Sequence, residues 1–316
     1  SSDEDSTVPT ERKNHTPETS ITIKIGNITD KTGPAANAME TVDLALEDAM
    51  KYWDEKIPGV KLKVIHYDGQ MDPSKTIAGY EWLKNQGVDV FTTSCPGVAP
   101  ILKPKVEDEK NVLFSLVGEH PAIEPPGHVL CLGSVPDAEA YTLLSWIAAN
   151  DWDYEAYGPA KIGAAAWGDN YATDFVQAMQ KYAQAHPDQF DFAGEYLTNF
   201  GIFDWSAEAE SLKRCDYIFP PIILTGFPKN LRSSGSQARL IGGSPHTGFF
   251  TLLDDANAWP LVDGMLIIYT GGYWGQDDKL IILQEKIMRD YHPDNVEELQ
   301  RSSGYGALGP YLMLGD

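Results

Sequence analysis

The sequence predicts an α/β fold made of two doubly wound parallel-sheet lobes joined by a multi-strand hinge. Short apolar strands alternate with amphipathic helices along most of the chain, and the alternation restarts after Pro136-Asp137. The length of 316 residues is about twice that of a usual domain. Strands connected through helices pair in parallel with right-handed crossovers, so each lobe is expected to carry a sheet covered on both faces.

The first series of elements follows a polar N-terminal stretch. Residues 1–20 contain one large aliphatic side chain, Val8, and are predicted to form a flexible tether. A tether to a lipidated cysteine upstream and an ordinary unstructured terminus both fit this composition. From Ile21 the residues alternate as in a strand, and apolar residues then recur at helical spacing between Val42 and Trp53. The elements predicted next are strand 61–67, helix 73–85, strand 88–92, helix 98–110 and strand 112–117.

A short strand at 128–132 closes the first series, and a second series follows it. Its predicted elements are helix 138–150, strand 161–167, helix 171–185, strand 191–197, helix 206–213, strand 217–224, a strand near Leu240 and strand 264–270. Two further helices, 280–290 and 303–314, are expected at the end. We therefore predict lobe one at 21–137 and 271–316 and lobe two at 138–270, with the chain stopping before the last strands that lobe one is expected to have.

Composition excludes several classes of function. The 46 acidic and 24 basic residues give a formal charge of −22, which excludes nucleic acid and anionic membrane surfaces as partners. No apolar run approaches the roughly 18 residues that span a bilayer. The three cysteines show no CxxC spacing, which excludes a zinc ribbon or a thioredoxin-like site. No metal and no cofactor is predicted.

The sequence also lacks the common catalytic motifs. Gly304-Tyr-Gly-Ala-Leu-Gly309 fits GxGxxG, but polar residues 297–303 precede it where a dinucleotide fingerprint needs a strand. No GxxxxGK[ST], HExxH or GxSxG motif occurs. We predict that the protein is not an enzyme. An α/β enzyme is the weakest alternative, because it would need a nucleophile and a base that only the fold brings together.

An ordered series of short motifs resembles the extracellular ligand-binding proteins of branched-chain amino acid transporters, which include leucine/isoleucine/valine-binding proteins. The motifs are Ile23-Lys-Ile-Gly26 with Thr32-Gly-Pro34, Val64-Ile-His-Tyr-Asp68 with Asp72-Pro73, Val88-Asp-Val-Phe91 with Thr93-Ser-Cys-Pro-Gly97, Asn111-Val-Leu-Phe-Ser115, Trp167-Gly-Asp-Asn-Tyr171 and Ser303-Gly-Tyr-Gly-Ala307. The resemblance runs from about Ile21 to the end, and it depends on the order of the motifs.

This resemblance implies the type I periplasmic-binding-protein fold and a solute-binding function. The implied ligand is a small polar molecule, an amino acid or a related amide or carboxylate, captured between the lobes for the membrane permease of an ABC transporter. The implied location is periplasmic or extracellular, with the protein either free or tethered to the membrane by a lipid anchor. The implied oligomeric state is a monomer. The alternative is a ligand-sensing ectodomain that uses the same fold to signal.

In lobe one, the resemblance places the ligand at two loops that follow strands, where helix N-termini present unpaired N–H groups. The candidate residues are Ser94, Cys95, Pro96, Gly97, Val117, Gly118 and Glu119. Ser94 would offer a hydroxyl and Gly97 a close backbone approach, although an ordinary turn with Ser94 as N-cap explains them equally well. Glu119 departs from the small hydroxyl residue usual in the family. It is expected either to accept a ligand ammonium group or to be a solvated loop charge.

In lobe two, the resemblance places Tyr171, Phe227 and Ser244 near the ligand. Tyr171 would offer an aromatic face and a hydroxyl, although packing at a helix start also explains it. The acid that amino-acid-binding members place close to Ser244 is missing, so amides, carboxylic acids and aromatic acids stay open as ligands. His246 is either a hydrogen-bond donor to the ligand or a loop residue. Residues 269–274 are Gly-rich and aromatic, as expected of a hinge or a cleft lining.

Overall fold

The computed structural model describes residues 20–199, 201–301 and 303–315. The predicted tether therefore lies outside the described residues except for Ser20. Two five-stranded parallel sheets with helices on both faces confirm the predicted α/β fold class. None of the described helices has the length and apolar character needed to cross a membrane.

Lobe one contains the sheet of strand order β2-β1-β3-β4-β5. Its strands are β1 (Ile21–Thr29), β2 (Val60–Asp68), β3 (Val90–Thr93), β4 (Leu113–Ser115) and β5 (Val129–Cys131). The helices between them are α1 (Ala36–Lys56), α2 (Pro73–Asn85), α3 (Val98–Glu109) and α4 (His120–Ile123). Local signals explain the sharp start of α2, because the Asp72 carboxylate accepts a 2.9 Å hydrogen bond from the Ser74 N–H and Pro73 occupies the first turn.

Lobe two begins with α5 (Pro136–Asn150) and α6 (Tyr154–Tyr157). Its strands are β6 (Ala160–Trp167), β7 (Phe190–Thr198), β8 (Tyr217–Phe219), β9 (Arg239–Gly242) and β10 (Leu266–Ile267), in the order β10-β9-β8-β6-β7. The remaining helices are α7 (Asn170–Ala185), α8 (Ser206–Leu212), α9 (Phe227–Ser233), α10 (Ser244–Thr247), α11 (Phe250–Asp255) and α12 (Trp259–Val262). Counted from its own first strand, each sheet has the order 2-1-3-4-5.

The C-terminal segment returns to lobe one. It forms α13 (Lys279–Tyr291), α14 (Val296–Gln300), a 3₁₀ turn (Gly304–Ala307) and α15 (Leu308–Leu312). Tyr305 and Tyr311 of this segment are fully buried in the same apolar cluster as Leu46 of α1. A second cluster, between α2, α3 and the other face of the sheet, completes lobe one, and lobe two likewise has one cluster on each sheet face.

Some predicted elements differ from the observed ones. The strand predicted at 217–224 ends at Phe219, because Pro220 and Pro221 cannot donate to a sheet ladder. The strand predicted at 264–270 is reduced to the two residues of β10, which pairs with β9 at the sheet edge. The helix predicted at 303–314 is a 3₁₀ turn followed by a five-residue α-helix.

Candidate ligand-binding site

The candidate site lies where the carboxyl ends of the two sheets face each other. Ligands of such sheets bind outside the strand ends near the point where strand order reverses, which is between β1 and β3 in lobe one and between β6 and β8 in lobe two. The amide of Asn170, at the start of α7 in lobe two, donates a 2.9 Å hydrogen bond to the Glu119 carboxylate of lobe one. This bond joins the loops that the sequence analysis had singled out.

The loop after β3 holds four of the predicted residues. Ser94 is buried, and its hydroxyl donates to the Met39 thioether at 3.2 Å, a weak acceptor. Burial raises the pKa of the Cys95 thiol, so this cysteine is a packed apolar group rather than a reactive one. Pro96 and Gly97 are half-buried and lead into α3. Gly97 has φ 81°, a left-handed conformation that favours glycine.

The loop after β4 brings Glu119 against the loop after β3. The Gly97 N–H lies 3.0 and 3.1 Å from the two carboxylate oxygens of Glu119, which is fully buried. Glu119 is therefore not a solvated loop charge. Burial raises its pKa, while the hydrogen bonds from Asn170 and Gly97 oppose that rise.

The other two residues of this loop shape the backbone. A Cβ on Gly118 would lie 2.4 Å from the Ser134 carbonyl oxygen, so only glycine fits where the chain crosses towards lobe two. Val117 is half-buried against the lobe-two cluster, and its carbonyl accepts a 2.7 Å hydrogen bond from the Ser115 hydroxyl. Both residues support the position of Glu119.

Lobe two contributes a buried carboxylate that the sequence analysis missed. Glu139 of α5 is buried, accepts a 2.7 Å hydrogen bond from the Ser244 hydroxyl, and also accepts from the hydroxyls of Tyr171 and Ser134. The acid that was missing near Ser244 in sequence is thus present in space, 105 residues away along the chain. Its position in the first turn of a helix is common for acids, so the sequence carried no distinctive signal for this role.

Phe227 and His246 lie in the core of lobe two rather than among these groups. Phe227 is fully buried and meets Trp205 edge-on at 6.2 Å. The His246 Nε2 donates to the Pro220 carbonyl at 3.1 Å, and Nδ1 lies 3.3 Å from the Gly243 N–H, so the ring is a satisfied neutral imidazole. Burial lowers the pKa of His246 to about 4. In this conformation neither side chain presents a surface to a ligand between the lobes.

The lobes also touch beyond the Glu119–Asn170 contact. The Thr251 hydroxyl donates to the Asn37 side-chain oxygen at 3.0 Å, and Arg301 pairs with Asp254 at 3.1 Å. The two lobes are therefore in direct contact with each other in this structure. In the part of the chain that the structure describes, no group of three or more His, Cys, Asp or Glu side chains is arranged to hold a metal ion.

Two described cavities lie beside the switch points, each within one lobe. The first has about 20 Å³, the room of a single water, between Thr29, Thr76 and Cys95. The second is an open pocket of about 490 Å³ on lobe two, walled by Trp167, Phe203 and Trp205. For brevity we call this second cavity the aromatic pocket.

Sequence comparison decides the family. A sequence model described as periplasmic binding protein matches residues 22–305. This chain belongs to the periplasmic binding protein family. The family is one of binding proteins rather than enzymes, as the sequence analysis predicted. No curated protein sequence matches this periplasmic binding protein.

Solved structures with the same fold have low sequence identity to this periplasmic binding protein. A branched-chain amino acid ABC transporter protein from Thermus thermophilus with bound valine has 20% identity and a TM-score of 0.77, over 92% of this chain and 76% of its own. A fatty acid ABC transporter substrate-binding protein from Thermomonospora curvata has 18% identity and a TM-score of 0.75, over 91% and 74%. A solute-binding protein from Rhodopseudomonas palustris BisB5 in complex with 3,4-dihydroxybenzoic acid has 17% identity and a TM-score of 0.68, over 92% and 77%.

Proposed function

We propose that this protein is the solute-binding component of an ABC transporter, which captures a small polar molecule between its lobes and presents it to a membrane permease. One observation carries the proposal: polar groups from both lobes converge where Asn170 bonds to Glu119. In lobe one, Gly97 of the loop that also holds Ser94 donates to Glu119; in lobe two, Tyr171, which follows Asn170 and packs in the buried cluster, donates its hydroxyl to Glu139. Two of the three solved structures named above contain bound valine and 3,4-dihydroxybenzoic acid, which supports a small polar ligand, whereas the third is of a fatty acid transporter protein.

Capture follows from closure. A ligand shifts the lobes towards the closed form only by as much as it binds that form better than the open one. Groups on opposite lobes provide this difference, because a ligand reaches both sets only when the lobes are closed. The large negative charge leaves nucleic acid out of this scheme. The protein acts as a periplasmic or extracellular monomer in this proposal.

The candidate ligands are amino acids and their amide or carboxylate relatives. The acid that amino-acid-binding members of the family place close to Ser244 in the sequence is missing. Glu139 now supplies a carboxylate in hydrogen-bond contact with Ser244, so a group that can hold an amine is present in lobe two.

A thermal-shift screen of amino acids, amines, amides, aliphatic acids and aromatic acids tests the proposal. A ligand at 100 times its Kd adds about 2.7 kcal/mol to the free energy of unfolding, so a true ligand raises Tm measurably. Small-angle scattering with the best compound should show the closed dimensions. The Tyr171→Ala variant should bind it more weakly, whereas the exposed Tyr157→Ala control should not change. No rise in Tm with any class of compound would contradict the proposal.

A further inference from the structure

The position of Glu119 narrows the class of ligand. We propose that the interlobe site holds the ligand through an ammonium group, and that Glu119 itself occupies the donor that would otherwise receive a ligand carboxylate. This inference rests on the proposed function, because it concerns the same site. It assigns Glu119 and Glu139 as the residues that determine specificity.

The backbone N–H of lobe one that would bind a ligand anion already binds the Glu119 carboxylate. The Gly97 N–H is a backbone donor at the start of α3, a helix of twelve residues whose N-terminus carries a partial positive charge. Both carboxylate oxygens of Glu119 lie within 3.1 Å of this nitrogen. A ligand carboxylate would have to share the donor with Glu119 and to approach a buried like charge. The arrangement therefore disfavours carboxylates at this loop.

Within residues 20–199, 201–301 and 303–315, no cationic side chain pairs with either buried carboxylate of the site. Among the described residues, Glu119 accepts only from the Gly97 N–H and the Asn170 amide. In the same described part of the chain, the donors to Glu139 are all neutral: the hydroxyls of Ser134, Tyr171 and Ser244 and the Ser244 N–H. Buried carboxylates are costly unless a positive charge compensates them. A ligand cation that enters between the lobes supplies this compensation.

Unpaired hydroxyl oxygen provides an independent indication. The Tyr311 hydroxyl is fully buried beside the hydroxyls of Ser94 and Thr92, and among the described residues no group makes a hydrogen bond of good geometry to it. The Ser94 hydroxyl donates to the Met39 sulfur, so its oxygen stays available as an acceptor to a donor such as the Tyr311 hydroxyl or a ligand N–H. Carboxylates and free hydroxyl oxygens are acceptors, and a primary ammonium group has three N–H donors to give them. The site matches an amine better than it matches an acid.

Matched compounds separate this inference from the proposed function. Isobutylamine, L-valine and isovalerate share a branched carbon skeleton and differ in the amine and the carboxylate. The pair 4-hydroxybenzylamine and 4-hydroxybenzoate repeats the comparison on an aromatic ring. Titration calorimetry at 0.15 M salt should give isobutylamine an affinity at least tenfold above that of isovalerate. It should likewise give 4-hydroxybenzylamine an affinity at least tenfold above that of 4-hydroxybenzoate. Tighter or equal binding of the acids would overturn the inference and leave the proposed function standing, whereas no binding of any compound would overturn both.

Variants at Glu119 test the residue itself. Glu119→Ala frees the Gly97 N–H, so amine affinity should fall about 30-fold or more while carboxylate affinity rises. Glu119→Gln keeps the shape of the side chain and removes its charge, so it should lose amine affinity even if the alanine variant folds poorly. Glu155→Gln changes an exposed carboxylate of α6 and should leave every affinity within twofold. An unchanged amine affinity in Glu119→Gln would overturn the assignment.

Discussion

The two lobes share one strand order but arrange their strand-end residues differently. In lobe one the predicted residues after β3 and β4 meet each other, because Gly97 bonds to Glu119. In lobe two Phe227 and His246 turn into the core, and Tyr171 and Ser244 converge on Glu139 instead. The shared strand order thus predicts where the strand-end loops lie in each lobe. Tertiary packing decides which side chains of those loops are exposed and which are buried.

The lobes also differ in how buried charge responds to pH. One buried acid of lobe one, Glu119, has a raised pKa, and a buried base of lobe two, His246, has a lowered one. Both shifts have burial as their largest cause, and burial disfavours the charged form in each case. The titration of Glu119 is therefore expected to lower the stability as pH rises, and that of His246 to lower it as pH falls.

The largest expected effect is in the core of lobe two. Phe227→Ala should lower the free energy of unfolding by about 3–5 kcal/mol, because it removes a fully buried ring. Phe203→Ala is the matched control, since that ring is 59% exposed on a neighbouring loop and should cost much less. Urea denaturation measures both. A small effect for Phe227→Ala would show that this side chain is not a core residue and would restore it as a ligand contact.

The next-largest effect is the loss of stability expected when His246 becomes protonated at acid pH. The pKa of His246 in the folded state is about 4 and that of an unfolded histidine is about 6.5. The stability that the neutral His246 ring contributes is therefore fully present above pH 6.5. About 3 kcal/mol of stability is lost as pH falls from 6.5 towards 4. His246→Gln should be less stable than the native protein at pH 7, and the difference should narrow down to pH 4. A constant difference in melting experiments across this range would contradict a buried neutral imidazole.

Tyr171→Phe should have a smaller effect. It removes one of the hydroxyl donors to the buried Glu139, and hydrogen bonds to charged groups are worth about 1.5–3 kcal/mol. The control is Tyr141→Phe, whose ring lies at the surface. Equal stability of the two variants in urea would mean that Tyr171 serves packing alone.

The smallest effect should be that of Glu119→Gln on the unliganded protein. Since the folded pKa is raised, the native protein loses stability as pH rises from the ordinary Glu value of about 4.3 through the raised value. The variant lacks this loss, so it should melt about 2 °C above the native protein at pH 8 and should show no such gain at pH 4. A higher Tm for the native protein than for Glu119→Gln at pH 8 would indicate a cation that compensates Glu119 and is not among its described contacts.

Sequence patterns predicted the elements whose signals are local. The helix predicted at 73–85 matches α2 because Asp72 and Pro73 mark its start, and the helix predicted at 171–185 begins one residue early because Asp169 caps it. Short helices such as α9 and α10 were missed, since four to seven residues are too few to show a period.

The candidate site was predicted as loops but not as contacts. The pairing of Glu139 with Ser244 joins helices far apart in sequence, and nothing near either residue announces it. Whether Phe227 and His246 are buried depends on whether each side chain points towards the core or towards the space between the lobes. Such directions are set by tertiary packing, which a motif of a few residues does not encode.

Capture between the lobes is tested most directly by a crystal structure grown with the amine that raises Tm most. The account predicts electron density between the two sheet edges, with the ligand nitrogen within hydrogen-bond distance of Glu119 or Glu139 and the ligand in contact with Ser94 and Tyr171. Density confined to the aromatic pocket beside Trp167 and Trp205 would contradict capture between the lobes.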